Sequence, residues 1–306
     1  MRYVTADGLP PVSRIGLGTM RFGERGFDPD LARALVRRAL ELGITHFDTA
    51  QAYGFGRGER LLGRALAAEG GPDVVVTSKM WPPLPLPALT ERHARASRER
   101  LGLSRIPLYL LHMPNPVVPA GVVLRGFERA RKAGVIGAAG ISNHSLAQWR
   151  AADAAAGHPL AANQILFNLL HPGARDDLVP WAVAQRRLVI AASPLGQGVL
   201  TARYDADSPP AGLPWARRLA MRHSALPPTP GNLRRLAPLL SELRTLAAGY
   251  GVTPAAIALA WAVSHDPVVV IPGASSVAQL EANAAAGDIT LSAGERRTLA
   301  DAASGG

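Results

Sequence analysis

The sequence predicts a closed (β/α)8 TIM barrel, an eight-stranded parallel sheet with a helix after each strand. Two observations carry this. Eight short apolar runs alternate with amphipathic stretches along all 306 residues, with no break in composition. The turn after the first run, RIGLGTMRFG, holds no G-x-G-x-x-G, which a doubly wound dinucleotide fold wants there.

Residues 1–12 read as a small cap ahead of the barrel. The strands are expected at SRIGLG (13–18), GITHFDT (43–49), DVVVTSK (73–79), IPLYLLH (106–112), VIGAAGIS (135–142), LAANQIL (160–166), RLVIAAS (187–193) and PVVVIPG (267–273). Helical periodicity covers 29–42, 58–68, 87–101, 118–133, 145–156, 175–185, 235–249 with 254–263, and 276–286. One domain, 1–306, is expected. The stretch 202–234, rich in Pro, Gly and Arg, is too long for an idle connection and reads as a lid or binding loop.

Composition narrows the function classes. No stretch reaches the roughly 18 apolar residues of a membrane span, and the N-terminus lacks the apolar core of a secretory signal; a soluble, cytoplasmic protein is expected. With no cysteine there is no thiolate ligand or cysteine nucleophile. The formal charge of +10 attracts anions, but the arginines are scattered and no aromatic residues interleave with the basic run 91–105, so nucleic acid is not an expected partner. No H-x-H pair or carboxylate-rich strand end suggests a metal. Of 33 basic residues only Lys79 and Lys132 are lysines. An amine, unlike a guanidinium, has a pKa that burial can move, which singles out Lys79.

In such barrels the C-terminal ends of the strands share one mouth, where the chemistry is done. Strand two and its following loop deliver Asp48 and Tyr53, strand three Lys79 and strand four His112. Singly, each reads as well as a helix cap, a loop aromatic, a surface charge or a core histidine. Jointly the bland reading weakens, because Lys79 and His112 end strongly apolar runs and buried polar groups need partners.

At this point FDTAQAYG, VVTSKMW, LYLLHMP, GISNH, ANQILFN, SPLGQG and IPGASSVAQLEAN together resemble the successive motifs of the aldo-keto reductase family, in that family's order. The resemblance implies NADPH-dependent reduction of small carbonyl compounds, with Tyr53 as general acid, Lys79 lowering the phenol pKa, Asp48 holding Lys79, and His112 orienting the carbonyl. It implies that Ser142, Asn143 and Gln164 bind the nicotinamide carboxamide. Ser193, Leu195, Gln197 and Gly198 would wrap the pyrophosphate, with Arg203 beside it. Gly273, Ser275, Gln279 and Asn283 would hold the adenosine phosphate, and Gly18, Thr19 and Met20 would join Asp48 on the cofactor side.

Two positions depart from the family pattern. Ala192 stands where many members stack a tyrosine on the nicotinamide. Gly273 and Gln279 stand where other branches place a Lys and an Arg for the 2′-phosphate, so NADP(H) preference over NAD(H) rests on Ser275, Gln279 and a basic 202–218 loop. Phe55, Trp81 and Met113, with Met20, are expected to line an apolar substrate cleft. The alternatives to carbonyl reduction are alcohol, sugar or pyridoxine-type oxidation in the same site, or a regulatory subunit like the potassium-channel β subunits. A monomer is the family-based expectation.

Overall fold

A computed structural model describes residues 1–81, 87–115, 118–210 and 227–304. It opens with a short antiparallel hairpin, β1 (Tyr3–Val4) with β2 (Val12–Ser13). Eight parallel strands follow: β3 (Leu17–Gly18), β4 (His46–Asp48), β5 (Val75–Met80), β6 (Ile106–Leu111), β7 (Ile136–Ser142), β8 (Ala162–Leu166), β9 (Leu188–Ala192) and β10 (Val268–Val270). They pair in chain order from β3 to β10. Parallel bridges from Ile15 to Val270 and from Gly18 to Gly273 then join the last strand to the first. At that seam Gly18 N donates to Pro272 O at 3.0 Å. A Cβ on Gly18 would stand 2.5 Å from Ile271 O, so the closure requires glycine.

All eight expected strands are present. The helices that follow β3 to β8 are α1 (Pro29–Glu41), α2 (Arg57–Ala68), α3 (Pro87–Leu101), α4 (Ala120–Lys132), α5 (Leu146–Ala156) and α6 (Leu178–Ala184). The expected helix 175–185 is shorter: residues Gly173–Arg175 form a 3-10 turn, and Asp177 caps the helix proper by accepting from Leu178 N. Helices Ala237–Tyr250 and Pro254–Val263 stand between β9 and β10, and Val277–Ala284 follows β10. Two helices go beyond the sequence expectations, Pro230–Arg235, which takes up the last five residues of the stretch read as a loop, and Ala293–Ser304. Of the stretch 202–234, residues 211–226 lie outside the described ones. Among the described residues no single helix is long and apolar enough to cross a membrane.

Strand alternation sorts the side chains into two cores. Phe47, Val76, Tyr109, Leu111, Ile165 and Val189 face outward onto the helices. Val75, Leu108, Leu110, Ala162, Leu188, Ile190 and Val269 fill the barrel, and Val4, Ala6 and Val12 of the hairpin segment pack onto them from the N-terminal end. The hairpin is therefore a plug. The inner row is apolar at that end and becomes polar toward the strand C-termini, at Asp48, Lys79, Ser142 and Gln164, all buried.

Candidate active site

Two-residue periodicity aims the polar groups. With Phe47 outward, His46 and Asp48 point inward; with Val76 outward, Thr77 and Lys79 do the same. Lys79 is fully buried. Its ammonium donates to Asp48 Oδ1 at 2.6 Å, Thr49 O at 2.8 Å and the Tyr53 hydroxyl oxygen at 3.3 Å. An ammonium has three donors, so all three have acceptors. The second carboxylate oxygen of Asp48 accepts from Gln164 Nε2 at 2.7 Å.

Burial acts to lower the Lys79 pKa, but Asp48 and then Tyr53 raise it by more, so the net shift is upward and the amine stays charged. Burial pushes the Asp48 carboxyl up, opposed by Lys79 and Gln164. The Tyr53 phenol also rises. Burial outweighs the lowering effect of Lys79 there, contrary to the sequence expectation that the lysine would bring it down. The phenol is neutral at physiological pH.

His112 follows β6, its ring edge-on to Tyr53 (centroids 6.2 Å) and to Trp81 (5.4 Å). Burial and the nearby Lys79 charge lower its pKa to about 3, leaving a neutral imidazole. Its Nδ1 is buried without a hydrogen-bond partner. A bare acceptor is tolerated there better than an orphaned N–H, which favours the tautomer protonated on Nε2.

The expected nicotinamide residues form one connected group. Asn143, at φ 61°, donates from Nδ2 to His112 O and to Ser142 Oγ, both at 3.0 Å, while its backbone N–H bonds Gln164 O at 2.7 Å. After β9 the backbone turns through positive φ at Ser193, Gly196, Gln197 and Gly198. Asn168 Nδ2 pins this loop by donating to Ser193 O at 2.9 Å, and Gln197 Nε2 donates to Ser193 Oγ at 3.1 Å. Leu195 sits within the loop and accepts from Gly198 N and Leu200 N. Ala192 ends β9 beside Leu166. Arg203, exposed, folds onto Tyr204, donating to its hydroxyl at 2.8 Å.

At the far side, Ser276 caps helix Val277–Ala284 by accepting from Gln279 N. Gln279 Oε1 takes both donors of Ser275, the backbone N–H at 2.9 Å and the hydroxyl at 2.7 Å, and Asn283 Nδ2 donates to Gly273 O at 3.4 Å. Thr19, buried, bonds Asp48 O through its hydroxyl and its N–H, which ties the end of β3 to β4; Met20 beside it is half exposed. Of the expected pocket wall, Trp81 and Met113 are partly covered, and Phe55 is 95% exposed among the described residues.

Three features escaped the sequence reading. Thr49 contributes only a backbone carbonyl, which leaves no mark on residue type. His46 sits two residues before Asp48 on the same strand face, so period two alone could have found it. It is fully buried, bonds Thr77 Oγ1 at 3.0 Å, and burial followed by the Lys79 charge lowers its pKa to about 3. A histidine neutral in the fold but near 6.5 when unfolded favours unfolding as pH falls below about 6.5, because the unfolded chain then binds the extra proton. At about 1.4 kcal/mol per pH unit, His46 should remove roughly 2 kcal/mol of stability between pH 6.5 and 5. Urea unfolding of wild type and His46→Gln across that range measures it, the variant showing the smaller slope.

The third feature is a buried ion pair behind β5. Glu59, 0% exposed, accepts from Ser78 Oγ at 2.6 Å and from Arg100 Nε at 2.5 Å, and Arg100 is only 16% exposed. It ties α2 and α3 to the strand that carries Lys79. Arg100→Ala would leave the carboxylate buried and unpaired, with an expected loss of about 3–5 kcal/mol in urea unfolding.

The sequence matches the profile of the Aldo/keto reductase family over residues 14–303. An uncharacterised oxidoreductase of Mycobacterium tuberculosis (strain ATCC 25618 / H37Rv) is 50% identical over 311 residues, covering 99% of this chain and 93% of that protein. Among solved structures, a glycerol dehydrogenase from Gluconobacter oxydans superposes with a TM-score of 0.86 at 27% identity, covering 98% and 94% of the two chains. An aldo-keto reductase from Klebsiella pneumoniae in complex with NADPH does so at 0.78 and 30% identity, again covering 98% and 94%. With a closed eight-stranded barrel and a hydrogen-bonded Asp–Lys–Tyr group at its mouth, the chain belongs to the aldo/keto reductase family of oxidoreductases.

Proposed function

We propose that the protein is an NADP(H)-dependent carbonyl reductase in which Tyr53 is the general acid. The observation that carries this is the set of three acceptors around Lys79 Nζ. Because Lys79 donates to the phenol oxygen, the phenol's own proton is directed away from the lysine and is available to a substrate carbonyl oxygen. Net burial keeps that proton on Tyr53 until it is needed. As the phenol gives it up, negative charge develops on an oxygen already bonded to an ammonium, which stabilises the charge where it forms. Asp48 keeps Lys79 charged and in register, and neutral His112 donates from Nε2 to the same carbonyl oxygen to orient it.

The residues fit a nicotinamide dinucleotide. Ser142, Asn143 and Gln164 are already tied to Asp48 and His112, and the amide oxygen of Gln164 is left to accept from a carboxamide. Positive φ at Ser193, Gly196, Gln197 and Gly198 curls the loop after β9, and the pyrophosphate would lie in that curl, with Arg203 to pair with a phosphate oxygen. When bound, the reduced nicotinamide supplies the hydride. Gly273, Ser275, Gln279 and Asn283 would hold the adenosine phosphate without a cation, so selectivity for NADPH over NADH should be modest. Gln279→Arg supplies the missing charge, and titration of both nucleotides should show the NADPH preference rising about tenfold or more, the size of one charge-assisted hydrogen bond.

Trp81 and Met113 beside His112 suit an aldehyde with an apolar or aromatic body. Turnover of benzaldehyde-type substrates is expected to exceed that of glucose, and the reverse order would overturn this part of the reading. The likeness to a glycerol dehydrogenase supports keeping alcohol oxidation as the second reading; the same groups serve both directions, and the measured equilibrium with the cellular cofactor ratio decides between them. The reading takes the chain as one barrel domain acting as a soluble, cytoplasmic monomer, with no metal and no nucleic-acid partner. The test is a panel of aldehydes and alcohols followed at the nicotinamide absorbance band with both cofactors. No turnover of any carbonyl despite tight NADPH binding would favour a regulatory subunit instead.

A further inference from the structure

At the opposite end of the barrel, where strands begin, the described residues outline a half-open polar cavity of about 220 Å³. Its wall includes Arg2, Arg14, Arg296 and Asp266, with Ile289 and Leu291 as an apolar side. These residues come from four places: the start of β1, the approach to β3, the turn before β10, and the C-terminal segment with its helix.

Backbone carbonyls fix the three guanidiniums. Arg2 donates from Nε to Gly287 O at 2.8 Å and from Nη2 to Ile289 O at 2.7 Å. Arg296 donates from Nη1 to Leu291 O at 3.1 Å, and Arg14 from Nη1 to Val263 O at 2.5 Å. Carbonyls orient a guanidinium but do not neutralise it. Asp266, paired with Arg14, is the one carboxylate among the lining residues, so three positive charges and one negative leave +2. Arg14, with a side chain only 14% exposed, has a buried Nε without any hydrogen-bond partner. Like-charged forks held together around a cavity, with one carboxylate to balance three guanidiniums, are the arrangement that a multivalent oxyanion neutralises.

We propose that this cavity is a binding site for a phosphate group, free or carried on a small monoester. A dianion matches the +2 balance, and the apolar side formed by Ile289 and Leu291 leaves room for a short organic body. Bound there, the phosphate braces the hairpin plug and the start of β3 against the C-terminal segment. It stabilises the fold by mass action and stands apart from the chemistry at the mouth.

The test is thermal unfolding of the full chain saturated with NADP+, which fills phosphate-binding positions at the mouth. Inorganic phosphate is titrated at ionic strength held constant with chloride, and glycerol phosphate is run as a second arm. Tm is expected to rise saturably with phosphate and not with chloride. In Arg296→Gln the apparent affinity should weaken about tenfold, the effect of one charge-assisted hydrogen bond. Arg14→Gln should do the same, and Arg296→Gln alone suffices if that variant folds poorly. Tighter binding of glycerol phosphate than of phosphate identifies a monoester site, and the reverse identifies free phosphate. A phosphate response no larger than that of chloride, or one unchanged in Arg296→Gln, overturns the proposal. The comparison with Arg296→Gln reads this cavity whether or not the proposed cofactor assignment holds.

Discussion

Tyr53→Phe is expected to lower kcat for carbonyl reduction by about 10²–10⁴-fold, the range for loss of a positioned general acid, while the dissociation constant for NADPH stays unchanged. The variant keeps the ring, its edge-on contact with His112 and its packing over Lys79, and removes only the hydroxyl that Lys79 bonds. Turnover measured beside nucleotide fluorescence titration separates the two quantities. A parallel loss of nucleotide affinity would mean that the phenol holds the site together rather than donating a proton.

The second large effect concerns the ion pair beneath it. Lys79→Met leaves Asp48 buried without its counter-charge, and the expected cost is about 3–5 kcal/mol of stability together with loss of turnover. Its pH dependence has a definite sign. Burial already pushes the Asp48 carboxyl up, and removing Lys79 raises it further. A carboxyl whose folded pKa lies above its unfolded value binds more protons in the fold, so stability falls as pH rises through that window. The variant should therefore be least damaged at acidic pH. Replacing Asp48 by Leu in the same chain should recover much of the lost stability, because no unpaired charge remains, without recovering turnover. Urea unfolding of the single and double variants measures both points.

The barrel and the four groups at its mouth were legible because each leaves a local mark. Apolar runs of strand length announce the sheet, and a polar residue closing such a run, as Lys79 does after VVTS, announces the rim. The links between those groups were not legible. Gln164 bonds Asp48 across 116 residues of sequence, and nothing local to either reports it. The Tyr53 shift depends on how far burial outweighs one neighbouring charge, a balance fixed by the assembled barrel. Gln279 carried the right residue type for a phosphate site, but only the folded structure shows its amide oxygen turned back onto Ser275. Helix Ala293–Ser304 buries only Leu299, so its periodic signal is weak. Phe55, an aromatic after a strand end, has the sequence mark of a pocket wall, and only the fold shows that its loop leaves it 95% exposed among the described residues.

The central claim, hydride transfer to a carbonyl at the mouth formed by Asp48, Tyr53, Lys79 and His112, is tested most directly by isotope. Turnover of a benzaldehyde-type substrate with NADPH deuterated at the transferring position of the nicotinamide should yield an alcohol with one deuterium on the former carbonyl carbon, formed by wild type and hardly at all by Tyr53→Phe. Tight NADPH binding with no labelled alcohol from any aldehyde would contradict the account.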